Sequence, residues 1–303
     1  MIPQRTLDHS IRCSGIGLHS GHKIELILHP ADEDAGISFV RSDLGVEIPA
    51  QASYVTDTRL CTTIGRDGVN ISTVEHLLSA LAGLGIDNAR IEVSGPEVPI
   101  MDGSSAPFVF LIQCAGIREQ KKAKKVLRVL KRVAIEDGNK HCELYPAAGF
   151  KVSYLIDYDH PLLRNRKVGI DFSHQAYTRE VSRARTFGFL HEIEALQKAG
   201  LALGGSLENA VVLDKFRVVN EGGLRYEDEC VRHKILDTLG DLSLAGYPIV
   251  GAFEGVRTGH ETNHKLVTAL LADPSSYRIE ELAREEEPRV AAEGAAQGDL
   301  QAT

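Results

Sequence analysis

The sequence predicts a mixed α+β fold in two domains, and three observations carry that reading. At 303 residues the chain is long for one core and comfortable for two. Residues 1–70 alternate apolar and polar side chains in short runs divided by turn signals, which marks a strand meander. Further on, two helical patterns each begin near a histidine and lead into a strand: His76-Leu-Leu-Ser-Ala-Leu-Ala-Gly before residues 89–93, and His233-Lys-Ile-Leu-Asp-Thr-Leu-Gly before residues 249–253. Such a match suggests an internal duplication, but it is too short to decide between duplication and coincidence by itself.

The elements follow in order. Strands are expected at 6–13, 23–28, 37–41 and 60–64, with turns at Gly15-Ile16-Gly17, Ser20-Gly21 and Asp67-Gly68. A helix over 74–84, a strand at 89–93, a turn through Met101-Asp102-Gly103 and a helix over 107–115 complete a first domain, residues 1–122. The run 118–132 is rich in Lys and Arg and reads as a solvated linker in preference to an anion-binding patch. A second domain, residues 123–280, then has strands at 126–135, 142–145 and 151–156, a helix-and-glycine insert over 186–212, a long helix over 227–245, a strand at 249–253 and a helix over 263–271. Residues 281–303 turn to Glu, Ala and Gly with few apolar anchors, the composition of a disordered tail.

Composition narrows the function. Hydrophobic residues at 43% and charged residues at 25% are ordinary for a globular protein. A net charge of -8 argues against nucleic acid as the main partner. The N-terminus lacks the apolar stretch of a signal peptide and no run is long enough to span a bilayer, so a cytoplasmic protein without stable membrane insertion is expected. Five cysteines, with no C-x-x-C pair, suggest neither a disulfide framework nor a thiolate metal site and read as mostly buried thiols. That leaves the twelve histidines and the carboxylates as the ligand pool.

On the later helix, His233 and Asp237 are four apart and emerge one above the other, close enough to grip one ion, although a polar stripe is more often only a wet face. The earlier helix sharpens this. Its His76 lies opposite the apolar stripe, among Ser79, Ala80 and Gly83, whose small side chains leave room for a close neighbour, read here as the His233 helix with a metal between. Two histidines and one carboxylate leave one tetrahedral position open, as in catalytic zinc sites. Glu75, beside His76, is placed to take a proton from water; Ser72-x-x-Glu75 is equally a capping box. His260, in the loop Thr258-Gly259-His260, is either a proton donor or an ordinary loop histidine. Thr186 offers a hydroxyl beside two aromatics or simply packs. The loop Gly15–Gly21 lacks the Gly-Lys-Ser/Thr ending of a phosphate loop and reads as a hairpin turn.

These residues fall in an ordered set of motifs: Gly17-Leu-His-Ser-Gly21, Thr73-Val-Glu-His-Leu-Leu-Ser79, Pro99-Ile-Met-Asp-Gly-Ser104, Ser182-Arg-Ala-Arg-Thr-Phe-Gly-Phe189, Leu203-Gly-Gly-Ser206 and His233-Lys-Ile-Leu-Asp-x-x-Gly-Asp241. Across residues 2–272 the chain resembles the UDP-3-O-acyl-N-acetylglucosamine deacetylases, zinc enzymes of lipid A synthesis in Gram-negative bacteria. The resemblance implies two duplicated domains, each a sheet with two main helices, the helices of both sandwiched between the sheets. It implies one Zn2+, or iron at the same site, on His76, His233 and Asp237. Glu75 is then the general base, His260 the general acid held charged by Asp241, Thr186 an oxyanion partner and Lys234 a contact to the substrate's sugar or phosphate region. Tyr158 stands where an aromatic stacks on uracil. Leu18, Phe187 and Phe189 contact substrate, and Ile193, Ala202, Ser206 and Val212 line the acyl passage. Two departures stand out: Thr258 replaces a Ser, and Ala202 replaces a larger Cys. The expected partner is the nucleotide-sugar lipid precursor, with a regulatory protease reading the tail. The rival readings are a zinc hydrolase of another acylated sugar nucleotide and a non-catalytic scaffold pinned by zinc.

Overall fold

In the computed structural model, which describes residues 1–282, the elements run as follows. The first part contains β1 (Pro3–Leu7), β2 (Ile11–Ile16), β3 (Lys23–Pro30), β4 (Ile37–Arg41), β5 (Val46–Pro49), β6 (Val55–Asp57), β7 (Thr63–Arg66), β8 (Val69–Ile71), α1 (Glu75–Leu84), β9 (Ala89–Val93), α2 (Ala106–Ala115) and β10 (Ile117–Ala123). Then come β11 (Lys125–Val129), β12 (Val133–Asp137), β13 (Lys140–Tyr145), β14 (Phe150–Ile156), β15 (Arg166–Asp171), α3 (His174–Ala176), β16 (Phe187–Phe189), α4 (Leu190–Lys198), β17 (Val211–Leu213), α5 (Glu229–Ser243), β18 (Ile249–Val256), α6 (His260–Ala272) and β19 (Tyr277–Glu281). The fold is mixed α+β.

The two main sheets share a plan. In the first, β9 lies between β3, antiparallel, and β4, parallel, with β2 and β5 outside them. In the second, β18 lies between β13, antiparallel, and β14, parallel, with β12 and β15 outside. Here β18 also pairs at its start with β11, which carries β19. Period-two alternation explains what is buried: Ile24, Leu26 and Leu28 of β3 and Ala89, Ile91 and Val93 of β9 face a core shared with Leu77, Leu78 and Leu81 of α1. Leu144, Tyr154, Phe253, Leu236 and Leu239 extend it.

Helices α1 and α5 meet at Gly240, where an added Cβ would stand 2.1 Å from the Glu75 carbonyl oxygen. Only glycine permits that approach. Gly85, at φ +70°, closes α1 with a left-handed cap.

Several sequence expectations are corrected. The expected strand 6–13 is two, because the Asp8 and His9 amides donate to Gly116 and Ala115 and turn the chain from one sheet to another. The strand expected over 126–135 also divides, into β11 and β12. The basic run is no solvated linker but forms β10 and β11. Its charges find acids distant in sequence: Lys122 and Lys125 reach Asp34, buried Lys124 reaches Asp87, and Arg128 reaches Glu280. Among the five thiols Cys61, Cys142 and Cys230 are buried, whereas Cys114 is exposed. Of the expected tail, Glu281 ends β19 and the Leu282 amide donates to Lys124; the remainder lies outside the described residues.

Candidate active site

Helix α1 delivers Glu75 and His76 from its first turn, and α5 delivers His233, Lys234, Asp237 and Asp241 at spacings of three and four. The first residue of α6 is His260, so the loop placement expected from sequence is corrected to a helix start. All of these except Lys234 are at most 9% exposed. Packing this many ionisable groups together out of water lowers stability unless something binds them, which marks a functional site.

His76 Nε2 and His233 Nε2 converge on Asp237 Oδ1, at 3.5 and 3.2 Å. That oxygen is buried and has no hydrogen-bond partner among the described residues. Donors bound tetrahedrally at zinc distances lie about 3.3 Å apart, so the three atoms fit one ion. Among the described residues two of the three outer atoms are braced, the exception being His76 Nδ1: His233 Nδ1 donates to the Ala184 carbonyl at 3.0 Å, fixing its tautomer, and Lys234 Nζ donates to Asp237 Oδ2 at 2.8 Å. These three residues form a buried group that could hold a metal ion.

Electrostatics suit that use. Burial pushes the His233 pKa down to about 4 against the pull of Asp237, leaving a neutral imidazole. For Asp237, burial opposes ionisation, but His233 and Lys234 outweigh it and hold the carboxyl well below its ordinary value. Burial likewise opposes charge on Lys234, and Asp237 with Tyr154 overrides it, so the ammonium stays charged.

The second half of the cluster sets a buried carboxylate beside a buried imidazole. Glu75 makes no capping box: the Ser72 amide donates to Pro96, and Glu75 Oε2 accepts from the Thr62 amide at 3.0 Å. Its other oxygen lies 3.9 Å from His260 Nε2. Burial raises the Glu75 pKa, opposed by His260 and His76. His260 Nδ1 donates to Asp241 Oδ2 at 2.9 Å, and Asp241 is itself held by Thr62 and Asn263. Burial disfavours charge on His260, yet Asp241, Glu75 and Asp237 carry its pKa to about 9, so the imidazolium persists at neutral pH.

The insert reaches the cluster at Phe187 and is tied by backbone hydrogen bonds to the N-terminal loop. The Thr186 amide donates to Gly103, and the Arg185 guanidinium beside it forks onto fully buried Glu229. Phe187 stands edge-on to His233, and Tyr158 packs against both Phe187 and Phe189. Val212 pairs with Gly188 across β16 and β17, and Ile193 sits half-buried on α4. Leu18 and His19 accept backbone hydrogen bonds from Gly204 and Leu203, joining the Leu18 loop to the turn that carries Ala202 and Ser206. The His233 helix does pack against α1 as expected, but two of the small residues of α1 serve a different neighbour. Gly83 and Ser79 make room for the Tyr177 ring and its hydroxyl, while the close approach to α5 falls at Gly240.

Residues 4–272 match the family UDP-3-O-acyl N-acetylglycosamine deacetylase. The chain belongs to this family. It is 57% identical to the UDP-3-O-acyl-N-acetylglucosamine deacetylase of Saccharophagus degradans over 92% of this chain and 93% of that one. With the enzymes of that name from Chromohalobacter salexigens and Myxococcus xanthus it shares 54%, over 92% and 91% of its own length and 93% and 88% of theirs. Among the described residues no helix is long and apolar enough to cross a membrane.

Sequence reasoning missed His19 and Glu97. The His19 pKa falls through burial, countered by Glu97 and reinforced by the charge of His260, which places its ring within electrostatic reach of the cluster. Glu97 is buried and joins this loop to the segment before α1. No spacing rule could find either, since their partners are 77 or more residues away in sequence or, for Thr73, 24.

Proposed function

We propose that the protein removes the N-acetyl group of UDP-3-O-acyl-N-acetylglucosamine by hydrolysis, releasing acetate, at a zinc site on His76, His233 and Asp237. The observation that carries this is the adjacency, in one buried cluster, of a three-donor metal group with a carboxylate and a charged imidazole, in a chain of this family. Nitrogen and oxygen donors suit zinc, and iron fits the same set. When bound, the ion supplies Lewis acidity that polarises the acetamide carbonyl and acidifies water.

The chain's own residues do the rest. Glu75, raised by burial, takes the proton of the attacking water. His260, kept as imidazolium by Asp241, gives a proton to the leaving amine nitrogen. The Thr186 hydroxyl donates to the oxyanion, and Lys234 contacts the sugar or phosphate region. Tyr158, with Phe187 and Phe189, offers the uracil a stacking face, while Leu18, Ile193, Ala202, Ser206 and Val212 line the acyl passage. Atoms balance: water adds across the amide C–N bond, giving acetate and the free amine.

In this reading residues 1–122 and 123–280 are duplicated domains whose helices lie between the two sheets. The identical strand order around β9 and β18 supports it. The substrate reaches a cytoplasmic enzyme, and the tail is a site for a regulatory protease. The test is acetate release from UDP-3-O-acyl-N-acetylglucosamine, with metal analysis of the same sample. Metal-loaded protein that releases no acetate would overturn the assignment.

A further inference from the structure

Glu97 is 2% exposed, and among the described residues no Lys, Arg or His side chain lies within ion-pair distance of it. A buried carboxylate with no counter-cation is costly unless hydrogen bonds satisfy it. Three do: Oε1 accepts from the His19 amide at 2.9 Å and the Thr73 hydroxyl at 3.0 Å, and Oε2 accepts from the Ser20 amide at 2.8 Å. The backbone has been shaped around it. Gly17 has no side chain, and a Cβ there would stand 2.4 Å from Glu97 Oε2. Thr73 adopts φ +58°, a left-handed conformation unusual for a β-branched residue, and its hydroxyl thereby meets the carboxylate.

The bonded path runs from the base to the substrate wall. Thr73 lies two residues before Glu75; Glu97 bridges Thr73 to His19 and Ser20; Leu18 and His19 in turn accept from Gly204 and Leu203. An isolated parallel bridge to Ser72 holds Glu97 in register, since Ser72 donates to Pro96 and accepts from Val98.

We propose that Glu97 is a positioning residue for the deacetylation: its carboxylate fixes the Leu18–Ser20 loop, and through it the Ala202 turn, relative to the Glu75 end of α1. This rests on the functional reading above. Losing a hydrogen bond to a charged group is worth roughly a factor of ten to a hundred, so Glu97→Gln, which places an N–H against a donor, should cut kcat/KM by about that much. The loss should divide by arm. Thr73→Val frees only the Glu75 side and should lower kcat, whereas Gly17→Ala displaces the carboxylate on the loop side and should raise KM. Metal content should stay at the wild-type level in all three.

A second readout is independent of turnover. Hydrogen exchange of the full chain carrying Glu97→Gln should speed up at the amides of residues 18–20 and also at 203–204. Exchange that rises at both segments, with the kcat and KM split, supports the proposal. Exchange confined to the neighbours of residue 97, or a Glu97→Gln variant with lowered Tm but wild-type kcat and KM, overturns it. Wild-type protein without deacetylase activity would sink the functional reading alone, because the exchange result would still report the coupling.

Discussion

Gly240→Ala tests whether the approach of α1 to α5 sets the metal geometry. The new Cβ would stand 2.1 Å from the Glu75 carbonyl oxygen and 2.9 Å from its Cα, with backbone rather than a pliable side chain in the way. Ordinary carbon contact begins near 3.5 Å, so the helices must part by about 1 Å or more. Overpacking of this kind costs about 1–3 kcal/mol. The chemistry should suffer more, because α1 carries Glu75 and His76 while α5 carries His233 and Asp237, and a misplacement of ~1 Å costs ~10²-fold in rate. Gly83→Ala is the control. There the added Cβ would meet the Tyr177 ring at 2.2 Å, on α1 but away from the donor atoms. Both variants should lose several degrees of Tm, yet only Gly240→Ala should also lose metal on dialysis and about two decades of kcat. Wild-type metal content and turnover in Gly240→Ala, or an equal loss of kcat in Gly83→Ala at matched Tm, would refute the reasoning.

Other outcomes follow from the same geometry. Glu75→Gln can still accept from the Thr62 amide, so fold and metal content should survive while kcat drops ~10²- to 10⁴-fold; near-normal turnover would place the base elsewhere. Rate should fall with rising pH as His260 loses its proton. Its raised pKa, about 9 before the opposing effect of a bound dication, rests chiefly on Asp241 against burial, so Asp241→Asn should move that falling limb of the pH profile to lower pH. The same group contributes stability that is present below its unfolded pKa and fades as pH climbs through about 9. Ala202→Leu should shift preference toward shorter acyl chains in a substrate series; an unchanged series would remove Ala202 from the passage.

What could be read in the sequence was whatever depends on local periodicity. His76, His233, Asp237 and Asp241 sit on regular helices, so their spacing translated directly into shared faces, and the strand at 89–93 was placed to the residue. Misreadings came where a partner distant in sequence decided the outcome. Ser72-x-x-Glu75 has the spacing of a capping box, but Pro96 takes the Ser72 amide and Thr62 takes the carboxylate. The lysines of β10 and β11 look solvated until Asp34 and Asp87 are brought beside them. Small strands such as β8 and β15 have too few residues, or too mixed a pattern, to stand out from loops. The acyl-passage residues were reached through family resemblance, since an insert of short elements has no periodic signature.

The three donor atoms are divided between α1 and α5, which are joined across Gly240. An ion bound there ties together two stretches of chain separated by more than 140 residues of sequence, and the unfolded chain cannot offer it the same cage. Its free concentration then enters the folding equilibrium directly: at a hundred times the dissociation constant, occupancy adds about 2.7 kcal/mol to the native state. Scarcity of the metal would be felt first as a shorter lifetime of the folded chain, through proteolysis of its opened forms, and not only as idle enzyme.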